Sequence, residues 1–69
     1  MRVDTQLLED KIKASGLKNS FIIEKLGISA QAYGKKKNNQ TPFRVSEVFV
    51  ICSLLNISDD EKAEIFFAK

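Results

Sequence analysis

The chain has 69 residues, of which 43% are hydrophobic and 29% charged, a balance typical of a small folded protein and not of a disordered one. No apolar run approaches a membrane span, and the amino terminus MRVDTQLLED lacks the apolar core of a signal peptide. The absence of histidine and the single cysteine exclude a disulfide framework and argue against a zinc site. We therefore expect one domain over residues 1–69, in a reducing cytoplasm.

The composition also argues against catalysis. The sequence has no histidine and no glycine-rich phosphate loop, and Cys52 has no neighbouring base that could activate it. We expect neither enzyme activity nor a cofactor. The net charge of +2 is divided unevenly, since residues 1–37 carry +4 and residues 38–69 carry −2. The first half is therefore basic, although less so than in most strong DNA-binding domains.

Apolar spacing and end signals predict five helices and no strand. The expected helices run from Asp4 or Thr5 to about Ser15, from Lys18 or Asn19 to Leu26, from about Ala30 to Lys36 or Lys37, from about Arg44 to Leu55, and from about Asp59 to the carboxyl end. Gly16 and Gly27 suit helix ends, whereas Ser29 suits a helix start. Residues 38–42 (NNQTP) are the clearest loop.

The second and third helices are separated by a very short turn. Gly27 ends one helix, Ile28 returns to the core and Ser29 begins the next helix, whose inner face carries Tyr33. Such a turn holds the second helix at a large angle to the first, which is the geometry of a DNA-reading helix-turn-helix.

The order of these features resembles the helix-turn-helix domains of phage Cro and repressor proteins. The resemblance includes the helix end at Gly16–Leu17, the turn Leu26–Gly27–Ile28–Ser29, the polar loop before Pro42, and the sequence Leu55–Asn56–Ile57–Ser58. It implies a compact all-α domain of five helices, in which helices two and three form the helix-turn-helix. The usual function of such a domain is to read operator DNA with its third helix.

Several positions depart from that family pattern. The third helix begins with Ala30 where DNA-reading members usually have glutamine, and Gly34 stands on its outer face where a polar side chain is usual. Phe21 occupies a position that is normally polar and exposed. Lys36 occupies a position where a large apolar side chain is normally buried.

The third helix offers three candidate DNA contacts, Gln31, Lys35 and Asn38. Gln31 could pair with adenine, and Lys35 with guanine or phosphate, or both could be merely solvated. The run Lys35–Lys37 covers about 200° of the helix, so it cannot face one groove as a whole. A solvated helix end, which complements the helix dipole, is the alternative for this run.

As a whole, the chain resembles the small modulator-of-repression antirepressors of temperate phages that infect lactic acid bacteria. This resemblance implies a protein that binds the DNA-binding domain of the phage repressor and biases the lysis–lysogeny switch in the cytoplasm of the bacterial host. Direct operator binding in the manner of Cro is the alternative, and the repressor complex could also touch DNA.

Helix phase gives a candidate partner-binding surface for the antirepressor function. Phe21 and Tyr33 would be its aromatic anchors, Asn19 and Gln31 its hydrogen-bonding neighbours, and Glu24 its nearest carboxylate. Phe21 could instead complete the small core.

The five helices leave no segment for a separate dimerisation domain, so we expect a monomer unless the Phe66–Phe67 end self-associates. Because adjacent helical residues point about 100° apart, one of these two rings is expected to close the core while the other stays exposed.

Overall fold

The computed structural model describes residues 2–67, which form five α-helices and no β-strand. The helices are α1 (Thr5–Ser15), α2 (Asn19–Leu26), α3 (Ala30–Lys37), α4 (Val45–Leu55) and α5 (Asp59–Phe66). The predicted all-helical class and helix order are confirmed over these residues, and the ends of α1 to α4 differ from the predicted ones by at most one position. Helix α5 ends at Phe66, and the part of its predicted extent beyond residue 67 lies outside the described residues. Within the same residues, no helix is long and apolar enough to cross a membrane.

The helix ends follow the local signals in the sequence. Gly16 and Gly27 end α1 and α2 in the left-handed conformation, with φ of 74° and 70°. Asp4 caps α1 by accepting a hydrogen bond from the backbone of Leu7. Ser58 forms a capping box at the start of α5 with the side chain of Glu61, three residues later.

The core collects apolar side chains from all five helices, from the segment before α1 and from the loop between α3 and α4. Helix α4 packs against α1 and α2, while α5 packs against α1 and α3 against α2. Phe43 and Phe66 meet edge to face, with ring centroids 5.6 Å apart. Phe66 is fully buried and Phe67, which follows the end of α5, is half exposed, so one ring closes the core and the other does not, as predicted. The core residues are Val3, Leu8, Ile12, Ile22, Tyr33, Phe43, Val48, Ile51, Leu55, Ile65 and Phe66.

The loop after α3 holds the amino-terminal segment in place. The side chain of Asn39 accepts a hydrogen bond from the backbone nitrogen of Val3 at 2.8 Å and donates one to its carbonyl at 3.0 Å. The Thr5 hydroxyl also donates to the carbonyl of Lys37. The sequence predicts the loop, but this pairing joins residues 36 positions apart, which no local pattern reveals.

Candidate interaction surface

Helices α2 and α3 are joined by a turn of three residues that is built as predicted. The amide of Gly27 donates to the carbonyls of Ile23 and Glu24 at 3.0 and 3.2 Å, which closes α2. The hydroxyl of Ser29 accepts from the amide of Ala32 at 3.1 Å, which opens α3. Buried side chains on both helices fix the pair to the core, so their remaining faces point to solvent.

Phe21 lies on the outer part of α2. Its side chain is 38% exposed, and the ammonium group of Lys25 lies 5.3 Å from the centre of its ring. It is therefore a partly covered surface aromatic and not a member of the buried core. Glu24, also on α2, is exposed.

The prediction that Tyr33 anchors a partner is not supported by its position. Only 4% of Tyr33 is exposed, so it has almost no surface to offer. Its hydroxyl donates a hydrogen bond to the side-chain oxygen of Asn19 at 3.0 Å, and burial, assisted by the charge of Glu9, raises its pKa to about 12. Tyr33 is a core residue, and one acceptor of the exposed Asn19 is already used to hold it.

The outer face of α3 carries few side chains. Gln31, Lys35 and Asn38 are all exposed, as the helix phase predicted. Between them, Gly34 has no side chain, and a Cβ added there would meet no atom within 4 Å. A partner's backbone could therefore approach α3 closely at Gly34. We call the exposed set Asn19, Phe21, Glu24, Gln31, Lys35 and Asn38 the α2–α3 surface.

Lys36 does not lie in solvent. Its side chain is only 11% exposed, and its ammonium group lies 2.5 Å from the carboxylate of Glu47 on α4. Glu47 also accepts a hydrogen bond from the backbone amide of Arg44 at 2.7 Å, which caps the start of α4. Burial opposes the charge of Glu47, but the hydrogen bonds from Lys36 and from Arg44 outweigh it and lower the pKa of the carboxyl.

Lys37 is also turned inward. It is 13% exposed, forms an ion pair with Glu9 of α1, and lies 5.1 Å from the ring centre of Tyr33. The solvated helix end considered for this basic run is therefore wrong for Lys36 and Lys37. Each of them is neutralised by a carboxylate from another helix, which helix phase alone could not reveal. Of the three consecutive lysines, Lys35 is the exposed one.

Sequence reasoning missed the part played by Glu47. The signal was present, because a carboxylate three residues after a helix start is the usual partner of the cap amide.

An open groove of about 450 Å³ beside α3 was also missed. It lies between α3 and the start of α4, and its two exposed cations are Lys35 and Arg44.

Comparisons with protein-family models, with curated proteins and with solved structures give no significant match for this chain. The α2–α3 surface is therefore interpreted from its own residues.

Proposed function

We propose that α2 and α3 form a helix-turn-helix and that the chain is an antirepressor of a temperate phage. It binds the DNA-binding domain of the phage repressor in the bacterial cytoplasm and blocks the repressor's contacts with operator DNA. Its effect is to bias the switch between lysis and lysogeny.

The observation that carries this proposal is the pairing of Lys36 and Lys37 with carboxylates from other helices. Operator-binding helices depend on cations that neutralise phosphates, and these contacts supply much of the affinity. Here two of the three lysines on α3 are already neutralised within the chain. With a net charge of only +2, the chain is better suited to a protein partner than to a duplex.

The composition of the α2–α3 surface also suits a protein partner. Phe21 is an exposed aromatic, and Glu24 and Gln31 supply a carboxylate and an amide on the same two helices. Such a mixture of an aromatic anchor and polar neighbours is typical of binding hot spots. The carboxylate complements the basic recognition helix of a repressor, which must itself lie against phosphates.

The test is a calorimetric titration of the chain with the purified DNA-binding domain of the cognate repressor. We expect Phe21→Ala to weaken binding by about 2 kcal/mol or more, as the loss of a hot-spot aromatic does. Phe49→Ala is the matched control. Phe49 is another exposed aromatic residue, it lies on α4, and a lysine ammonium group lies 5.2 Å from its ring centre. Equal effects of the two variants, or no binding by the parent chain, would contradict the proposal.

Direct operator binding is the second candidate, and the groove beside α3 favours it. Lys35 and Arg44 could clamp a phosphate there, while Gln31, which also lines the groove, could reach a base edge. This candidate predicts that Lys35→Ala and Arg44→Ala reduce DNA binding and its salt dependence. The antirepressor proposal predicts no sequence-selective DNA binding to reduce.

A further inference from the structure

Helix α4 has an apolar outer face that the rest of residues 2–67 leaves largely exposed. Val45 and Phe49 lie one turn apart on it and are 70% and 60% exposed. Phe67, just after α5, is 50% exposed and lines the same small apolar crevice. We call these three residues the α4–α5 patch. It shares no residue with the α2–α3 surface.

The side chains of the patch do not belong to the hydrophobic core. The opposite side of α4 already supplies Val48, Ile51 and Leu55 to the core. A helix with apolar side chains on both faces is ordinarily covered on both faces. Contiguous apolar patches on a small protein usually mark an interaction site.

The charges at the two ends of the patch have opposite signs. Phe67 and Val45 line the same crevice, and the exposed Arg44 directly precedes Val45 at the start of α4. Lys62 lies beside Phe49, and one turn earlier on α5 the fully exposed Asp59 lies 3.6 Å from the ammonium group of Lys62. The patch therefore has the cation Arg44 at one end and, at the other, the fully exposed carboxylate of Asp59, which within the chain already pairs with Lys62.

We propose that this patch binds a second copy of the chain. A two-fold axis near Phe49 makes the two α4 helices antiparallel, so that Phe49 packs against Phe49 of the second copy. The same rotation brings Arg44 of each copy to Asp59 of the other. A surface with an apolar centre and opposite charges at its ends is complementary to itself under such a rotation, as an isologous contact requires.

The small size of the patch limits the strength of the dimer. With roughly 150–250 Å² per aromatic side chain, the three exposed side chains present on the order of 300 Å² per copy. Two copies bury well under the roughly 1,200 Å² at which stable interfaces begin. The dimer is therefore weak, and dilute chains are monomeric.

Sedimentation equilibrium on the full chain, from about 10 μM to about 1 mM, tests the dimer. We expect a monomer–dimer equilibrium in which Phe49→Ala raises the dissociation constant about tenfold or more. Phe21→Ala, which removes an equally lysine-capped aromatic outside the patch, leaves the constant unchanged. Thermal melting establishes that both variants fold. A parent chain that stays monomeric at about 1 mM, or a dimer insensitive to Phe49→Ala, would overturn the proposal.

A charge exchange tests the antiparallel arrangement. At low salt, Arg44→Glu and Asp59→Lys should each weaken the dimer several-fold, whereas the double variant, which reverses both pairs, should restore it. A double variant no better than either single one would overturn the arrangement. The inference does not depend on the antirepressor function, since it predicts that Phe49→Ala leaves binding to the isolated DNA-binding domain of the repressor intact. Loss of repressor binding in Phe49→Ala, without any dimer in the parent chain, would assign the patch to the repressor instead.

Discussion

At the scale of single residues, the ion pair of Lys36 and Glu47 explains how α3 can lack a large apolar residue at its inner end. The lysine stem covers the core while its ammonium group meets a carboxylate 2.5 Å away. That carboxylate also caps α4, so both charges have partners although they are almost buried. A buried pair of this kind is costly to break from one side, because the remaining charge loses its partner.

Glu47 should make the stability of the fold depend on pH. Its folded pKa lies below the usual 4.5, so its stabilising effect is complete at neutral pH and is lost as the pH falls through the folded pKa. We expect Glu47→Gln to lower the free energy of unfolding at pH 7 by about 1–3 kcal/mol, and to have a smaller effect in acid. Urea unfolding of the parent chain and of Glu47→Gln, at neutral and at acidic pH, measures this difference in the free energy of unfolding.

Part of the acid sensitivity should remain in Glu47→Gln, because Glu61 also has a lowered pKa, chiefly through its bond with Lys11. An equal loss of stability at both pH values would contradict the role given to Glu47.

Phe21 and Tyr33 should respond differently to truncation. Phe21 is partly exposed and lies outside the buried core, so Phe21→Ala should cost about 1 kcal/mol of folding stability. Tyr33 is buried and holds α3 to the core, so Tyr33→Ala should cost about 3–5 kcal/mol, most of what a domain of this size has. Thermal melting of the two variants provides the comparison. Equal losses of stability would mean that Phe21 belongs to the core.

At the scale of helices, two glycines in open space should respond in opposite directions to alanine. Gly34 lies inside α3 and has room for a methyl group, so Gly34→Ala should stabilise the fold by up to about 1 kcal/mol. Gly27 has the same room but a φ of 70°, so Gly27→Ala should destabilise it by about 1 kcal/mol.

Measurements of repressor binding show whether Gly34 allows a partner's backbone to approach α3 closely. If a partner's backbone packs against Gly34, Gly34→Ala weakens repressor binding while it stabilises the chain. A more stable variant with unchanged affinity would contradict close approach at that position. Denaturant unfolding and calorimetric titration of the same preparation give both quantities.

The helices could be predicted from the sequence because their ends are set locally. Gly27 and Ser29 act on backbone groups within four residues, and Ser58 caps α5 in the same way. The lysine pairings could not be predicted, since Glu9 and Glu47 reach α3 from other helices. Gln31 is exposed, as expected, whereas Tyr33, which was expected to contact a partner, is buried. Helix phase gives the direction in which a side chain points and not how deeply it is buried.

At the scale of the whole molecule, the fold separates two kinds of exposed surface. The α2–α3 surface is polar around one partly covered aromatic, whereas the α4–α5 patch is apolar with opposite charges at its ends. A weak dimer would carry two α2–α3 surfaces. The dimer could then bind both subunits of a dimeric repressor. Once one subunit is bound, the second contact forms at a high effective concentration, which two separate monomers would lack.

Operator binding in the presence and absence of the cognate repressor tests the central claim most directly. Fluorescence anisotropy of labelled operator DNA, at physiological salt, reports both the chain alone and the repressor complex. We predict that the chain alone binds operator no better than unrelated DNA, and that adding it to the repressor–operator complex releases the DNA. Nanomolar, sequence-selective binding by the chain alone, with no effect on the repressor, would contradict the claim and favour a Cro-like operator-binding protein.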